Sequence, residues 1–390
     1  MRRLLILATV GFTAATALAA TAAPSATGVT HANNHVCTAA PAGVATCHAI
    51  RHDTYINGKP APSATSIPAG AYGRTDLVSA YGLPSSNSSG AGTTVAIVDA
   101  YDLPTAFNDV SVYRAQYGLP TLNTGGPTFR QVGQNGGTVP AANASWGQEI
   151  ALDIEMVSAT CPSCNILLVE ANSASFADLG AAVNYAASQG VAAISNSYGG
   201  SDTSPSTAYD HKGIAITAST GDNGYGVESP ASYNTVVAVG GTSLTKSTSG
   251  TYSETAWSGA GSGCSRYNSQ QPWQSGVVTN CGTRALADVS AVADPNTGVA
   301  VYDSTAYQGQ SGWMQFGGTS VSSPIIASIY ALGGNLAGYP AQYTYAHRTA
   351  LHDITSGANG HCTRTRSLCT AGTGWDGPTG LGTPSGITAF

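Results

Sequence analysis

The chain has 390 residues, enough for one large domain with a sizeable core. Charged residues make up only 9%, with 14 Lys and Arg against 20 Asp and Glu, a net charge of −6. That balance, with no basic cluster, argues against a nucleic-acid partner; Gly, Ser, Thr and Ala fill the surface role instead.

Residues 1–23 read as a secretory signal. Arg2 and Arg3 form its basic start, Leu4 to Phe12 lead the apolar stretch, and Ala17-Leu-Ala19 and Ala20-Thr-Ala22 are candidate cleavage sites. Small residues from Thr13 to Ala23 dilute the apolar run, which makes a membrane anchor the weaker reading. No later stretch is apolar enough to span a bilayer, so an exported, soluble monomer is expected. Residues 24–70 are rich in Ala, Pro, Thr and Ser and read as a short pro-segment or linker. The compact domain, 71–390, is expected to begin near Gly70-Ala-Tyr-Gly-Arg-Thr-Asp76.

From there strands and helices alternate. Strands are predicted at Thr94–Val98, ending on Asp99, and at Ile166–Val169, Val191–Ser195, Ile214–Ala218 and Val236–Val239. Helices are predicted at Thr105–Tyr117, Trp146–Ala159 and Phe176–Ser188, with Ser145 and Gln148 at capping-box spacing. Residues 121–144 read as a Gly- and Asn-rich loop. Strands separated by helices of this length mean parallel βαβ units, whose strand ends form active sites. The eight cysteines fall into local couples, 37 with 47, 161 with 164, 264 with 281 and 362 with 369. Disulfides are the default in an exported chain, although eight cysteines allow many pairings. Cys161-Pro-Ser-Cys164 also has redox or metal spacing, but it follows a helix and has no second Cys/His pair nearby.

Three stretches carry chemistry. In Gly147-Gln-Glu149-Ile-Ala-Leu-Asp153, the two acids are four apart on a mostly apolar helix and share a face. Like charges so placed are unfavourable unless they share a proton; the alternative is an exposed acidic face with Glu155 as a third member. In Ala218-Ser-Thr-Gly-Asp222-Asn-Gly224, two glycines make a tight turn that thrusts Asp222 beyond a sheet edge. In Phe316-Gly-Gly-Thr-Ser320-Val-Ser-Ser-Pro324, a sharp turn feeds an apolar helix that stops at Gly333-Gly334. Ser320 then sits at a helix N-terminus, where free N–H groups and the dipole favour an oxyanion. A capping serine is the plainer reading of the tetrapeptide. Gly240-Gly-Thr-Ser243 repeats its letters without Pro or helix, and Ser243 reads as a loop serine after a strand. Pro324 is expected within the first turn, where a missing N–H matters least.

Together these motifs resemble the sedolisin family, the serine-carboxyl peptidases, over about Gly70 to Phe390. The resemblance implies an α/β, subtilisin-like three-layer sandwich with a mainly parallel central sheet. It implies Ser320 as nucleophile, Glu149 as general base, Asp153 as the carboxylate supporting it and Asp222 as the oxyanion-hole acid. It also implies an endopeptidase acting on proteins or peptides at acid pH. A carboxylate base suits acid: histidine, titrating near ~6.5, is already cationic there, whereas glutamate titrates near ~4.3.

The resemblance further implies a structural calcium near the C-terminus, held by Asp353 and Asp376 with carbonyls of Ile354, Gly372 and Gly374, a hard-oxygen set. One departure is clear: the family carries a large folded prodomain, whereas only about 50 residues fit between signal and domain here. Cys362 and Cys369 also lengthen the calcium loop. Two other readings stay open. A degenerate relative could bind peptides or cell-wall material without cutting them. A histidine-based subtilisin could use Asp99, but no His-Gly-Thr follows, and His211, His347, His352 and His361 sit in poor contexts for a base.

Overall fold

The computed structural model describes residues 28–278 and 280–390; the stretch read as a secretory signal lies outside the described residues. Chain order begins with four short strands, β1 (Val29–His35), β2 (Thr46–Cys47), β3 (Ile50–Ile56) and β4 (Lys59–Pro60). After α1 (Arg74–Tyr81) come β5 (Thr94–Ala100), α2 (Ala106–Gln116), β6 (Phe129–Gly133), α3 (Ala144–Thr160) and β7 (Asn165–Ala171). Then follow α4 (Phe176–Ser188), β8 (Ala193–Asn196), β9 (Tyr198–Ser201), β10 (Ala215–Ser219), β11 (Glu228–Ser229), β12 (Val237–Lys246) and β13 (Tyr252–Ala256). The last third holds β14 (Gly263–Cys264), α5 (Pro272–Ser275), β15 (Ala285–Leu286), β16 (Val289–Val292), β17 (Val299–Tyr307), β18 (Gln310–Gly317) and α6 (Thr319–Gly333).

An eight-stranded sheet runs β13-β12-β10-β8-β5-β7-β6, with β16 also on β12. Every pairing in it is parallel except β12 with β13. The apolar runs Val95–Val98 and Ile166–Val169 explain why: strands covered on both faces need no polar alternation, and these residues are at most 2% exposed. Helices α3 and α6 pack on one another and on β5. A second, antiparallel sheet runs β1-β3-β18-β17, and a third runs β11-β9-β2. Among the described residues no helix is long and apolar enough to cross a membrane.

Several local expectations are corrected. The stretch 121–144 is not all loop, because Phe129–Gly133 forms the edge strand β6 against β7. Helix α3 starts at Ala144 and is capped by Asn143, whose Oδ1 accepts from the Ser145 and Trp146 N–H groups; Ser145 lies inside the helix. Ser243 is not in a loop but inside β12, paired with Thr255, its Oγ donating to Asp294 at 2.7 Å. Upstream of Gly70 the chain is also paired onto this body. Strand β1 pairs with β3 from Val29↔Ile56 to His35↔Ile50, and β3 pairs with β18. Those strands were invisible because Thr, His and Asn fill both faces of β1, which stays largely exposed. All four cysteine couples are disulfides: 37–47, 161–164, 264–281 and 362–369.

Candidate active site

Strand β18 ends at Gly317, and the next residue, Gly318, caps α6 with φ 96°, a left-handed value that favours glycine. A Cβ there would collide with the His48 carbonyl oxygen and crowd Asp222 Oδ2. Ser320 is thereby the second residue of a buried helix, its Oγ donating to Ser197 O at 3.2 Å. Pro324 is the sixth residue of α6, beyond the first turn, and its missing N–H leaves the Ser320 carbonyl without its helical donor. The Ser197 hydroxyl supplies a long contact instead, at 3.4 Å.

Helix α3 brings its two carboxyls to the same place. Every residue from Trp146 to Thr160 is buried, and Glu149, Asp153 and Glu155 are all 0% exposed, so the exposed acidic face is ruled out. Glu149 Oε2 accepts the Ala49 N–H at 2.8 Å, and Asp153 Oδ1 accepts the Ser197 hydroxyl at 2.8 Å. Glu149 Oε1, Asp153 Oδ2 and both Asp99 oxygens have no hydrogen-bond partner among the described residues. Burial, and then the charge of Asp99, push Glu149 and Asp153 well above the usual carboxylate range; the Ser320 hydroxyl partly offsets this at Glu149. Burial pushes Asp99 up to about 8. Three carboxyls so enclosed cannot all be ionised, so protons are shared between them.

Asp222 stands across from this group. Gly221 and Gly224 both have positive φ, 108° and 74°, which builds the expected tight turn after β10. Asp222 Oδ1 accepts the Thr319 N–H at 2.8 Å and the Thr319 hydroxyl at 2.9 Å, which locks the carboxyl beside the N-terminus of α6. Its Oδ2 is buried without a partner among the described residues. Burial raises Asp222 to about 6, against the opposing pull of His48 and the Thr319 hydrogen bonds. Below that pH it carries a proton and can donate.

Residues that the sequence did not single out complete the neighbourhood. Ser197, just after β8, touches both Asp153 and Ser320. Asp99, read from the sequence as a strand end and as the aspartate of a histidine-based alternative, instead lies close enough to the α3 carboxyls to raise both. His48 and Ala49 enter from the N-terminal strands. The His48 ring is 2% exposed, with Nδ1 2.7 Å from Ser219 Oγ and Nε2 3.0 Å from Glu228 Oε2. Spacing could have found Ser197, which follows a predicted strand in the same way as Asp222; nothing local marked His48. No histidine is hydrogen-bonded to Ser320, so a histidine base is not assembled among the described residues.

The C-terminal loop brings Asp353 and Asp376 together with Gly372 and Gly374. Asp376 is 1% exposed and accepts N–H groups from Gly372 and Thr379, both at 3.0 Å; Asp353 accepts from Gly374 at 2.9 Å. Burial raises Asp376 to about 7, and the Asp353 charge adds to it. A hard cation would relieve the repulsion of two such carboxyls, although the backbone groups that meet them here are N–H donors rather than carbonyls. No group of three or more His, Cys, Asp or Glu forms a metal cluster among the described residues, so carbonyls would have to supply the rest.

Residues 134–372 match the subtilase family (Peptidase_S8). Sedolisin of Pseudomonas sp. strain 101 is 29% identical over 346 residues, covering 76% of this chain and 57% of that protein. Kumamolisin of Bacillus sp. strain MN-32 is 30% identical over 369 residues, covering 84% and 64% respectively. The chain thus spans about three-fifths of the length of these curated relatives. A solved Pseudomonas sedolisin, a serine-carboxyl proteinase complexed with two molecules of pseudo-iodotyrostatin, has a TM-score of 0.69 at 29% identity. That match covers 81% of this chain and 95% of that one. The psychrophilic S41 protease shares the fold alone, with a TM-score of 0.52 at 19% identity over 82% of this chain and 98% of that one. With Ser320, Glu149, Asp153 and Asp222 gathered at the ends of a mainly parallel sheet, the chain belongs to the subtilase family and, within that subtilisin-like fold, to the sedolisin family.

Proposed function

We propose that this protein is a secreted, calcium-stabilised endopeptidase that hydrolyses proteins or peptides at acid pH. The observation that carries the reading is the position of a peptide N–H: Ala49 N donates to Glu149 Oε2 at 2.8 Å, beside Ser320. A group that accepts a peptide N–H there can later return a proton to a leaving nitrogen. Ser320 attacks the substrate carbonyl, and Glu149 takes the hydroxyl proton in the state where Asp153 and Asp99 hold the protons the three carboxyls share, so that pair sets how readily Glu149 accepts it. Asp222, protonated below about 6, donates to the oxyanion, with N–H groups at the start of α6 adding their dipole. Glu149 passes its proton to the departing amine. Water, activated by the same carboxylate, then releases the acid product.

Calcium at Asp353 and Asp376 would stabilise the C-terminal loop and take no part in the steps above. Export is supported by the sequence of residues 1–23 and by the four disulfides.

Turnover of a denatured protein at pH 4 tests the reading. Ser320→Ala should abolish it while leaving secretion and thermal stability nearly unchanged, and Ser243→Ala should leave the rate as it is. Equal loss from both variants would refute Ser320 as nucleophile. A purified wild type that binds peptides without cutting them would instead favour a degenerate binding protein.

A further inference from the structure

Resting on the peptidase reading above, we infer that the chain's own His48–Ala49 peptide is seated as a substrate of Ser320, and that Ser219 and Glu228 form the pocket selecting the acyl-side residue.

The path of the backbone is the first argument. Strand β2 adds antiparallel to β9, with Thr46 opposite Gly199 and Cys47 opposite Tyr198, and the His48 N–H continues the ladder to Ser197 O at 3.2 Å. Two residues on, Ile50 pairs with Gly317 and Arg51 with Phe316, on β18. The chain therefore leaves one wall of the cleft and joins the other across the His48–Ala49 bond. That is β-strand addition by an extended peptide, a recurrent mode of peptide recognition.

The atoms of that bond meet the right groups. The His48 carbonyl oxygen and Asp222 Oδ2 both crowd the space over Gly318, and Oδ2 is the buried oxygen without another partner among the described residues. The Ala49 nitrogen lies on Glu149, 2.8 Å from Oε2. Attack by Ser320 Oγ on the His48 carbonyl carbon would break the C–N bond. Glu149 would carry the serine proton to the Ala49 nitrogen, and water would then hydrolyse the acyl-serine. The products are a His48 carboxylate and an Ala49 amine.

Side-chain recognition is the second, independent argument. The imidazole is enclosed and bridged, Nδ1 to Ser219 and Nε2 to the Glu228 carboxylate. Burial alone would discharge the ring, but Glu228 and, less strongly, Asp222 outweigh it and raise its pKa, with His35 the other titratable group nearby. An acidic wall around an enclosed ring fits a cationic imidazole better than an aliphatic or acidic side chain.

The disulfide and the hairpin decide what a cut would do. Cys37–Cys47 lies wholly upstream of the bond, so no disulfide spans it. After cleavage the upstream piece would stay only by the pairing of β1 with β3 and of β2 with β9. Until it leaves, it fills the cleft. A segment of some twenty described residues would thus act as a built-in inhibitor.

The experiment uses the full chain, purified near neutral pH and moved to pH 4, with intact mass and N-terminal sequencing over time. Wild type should acquire an N-terminus at Ala49, Ser320→Ala should not, and His48→Asp should cut at least tenfold more slowly. In a peptide library, His should be preferred on the acyl side of the cut over Asp by tenfold or more. Glu228→Gln should shrink the His-to-Leu ratio several-fold. Wild type that digests added protein while its His48–Ala49 bond stays whole would overturn this inference and leave the peptidase reading standing. So would a library with no bias for His. Failure to cut any substrate, its own bond included, would overturn both.

Discussion

The Ser197 hydroxyl donates to Asp153 at 2.8 Å and lies 3.4 Å from the carbonyl of Ser320, so one small side chain ties the helix of the acids to the helix of the serine. The Asp153 side chain has no other hydrogen bond among the described residues, and the charges of Asp99 and Glu149 both raise its pKa. A carboxyl so placed works through its neighbour rather than on a substrate.

Glu149→Gln should therefore lower kcat by about a thousandfold or more, the scale of a lost base. Asp153→Asn should cost less and move the acidic limb of the rate profile to lower pH, because one fewer ionisable neighbour opposes the charge on Glu149. Profiles of kcat/KM from pH 2 to 7 decide it; two variants with wild-type profiles would contradict the roles.

Asp222 needs the opposite protonation state from Glu149. Burial raises it to about 6, so activity should fall as pH rises through that region, giving a bell on the acid side. Asp222→Asn keeps a donor that does not ionise and should retain activity with a weaker fall above pH 6. Asp222→Ala should lose about a hundredfold or more. An Asp222→Ala enzyme as fast as wild type at pH 4 would sink the oxyanion role.

Stability should follow other buried acids as well as Asp99. Burial raises Asp303 to about 7, Asp99 to about 8 and Glu170 to about 9, all far above their unfolded values. For groups raised in this way the folded state binds more protons than the unfolded one. Their contribution is fully present below about pH 4 and is lost as pH rises through the folded values. The melting temperature should accordingly decline between pH 5 and 9. Calorimetry across that range, with calcium held constant, would contradict this by showing a maximum near pH 8.

Calcium removal gives the fourth test. A chelator should lower the melting temperature of wild type, since a ligand bound only by the folded state stabilises by mass action. Asp376→Ala should melt lower and no longer respond to chelator. Superimposable wild-type curves with and without chelator would refute the site.

The sequence by itself determined the alternation of buried strands and helices, because apolar runs such as Ile166–Val169 can only be core. It also determined the i, i+4 spacing of Glu149 and Asp153, the glycine turn of Asp222 and the helix behind Ser320, since each is set within a few neighbouring residues. Helix α4 was legible to the residue, from Phe176 to Ser188. Tertiary structure alone decided that Glu149, Asp153 and Glu155 are buried rather than an outer acidic face, because charge spacing on a helix does not say which side meets the core. It alone placed Asp99 and Ser197 beside the acids, since they come from strands about 100 residues apart in sequence. And it alone carried His48 and Ala49 into the cleft. Strands β1 to β3 have no apolar period of their own; β1 is held on β3, and β2 and β3 are held by backbone pairing to β9 and β18, which follow them by 140 residues or more, and pairing at that distance leaves no local mark.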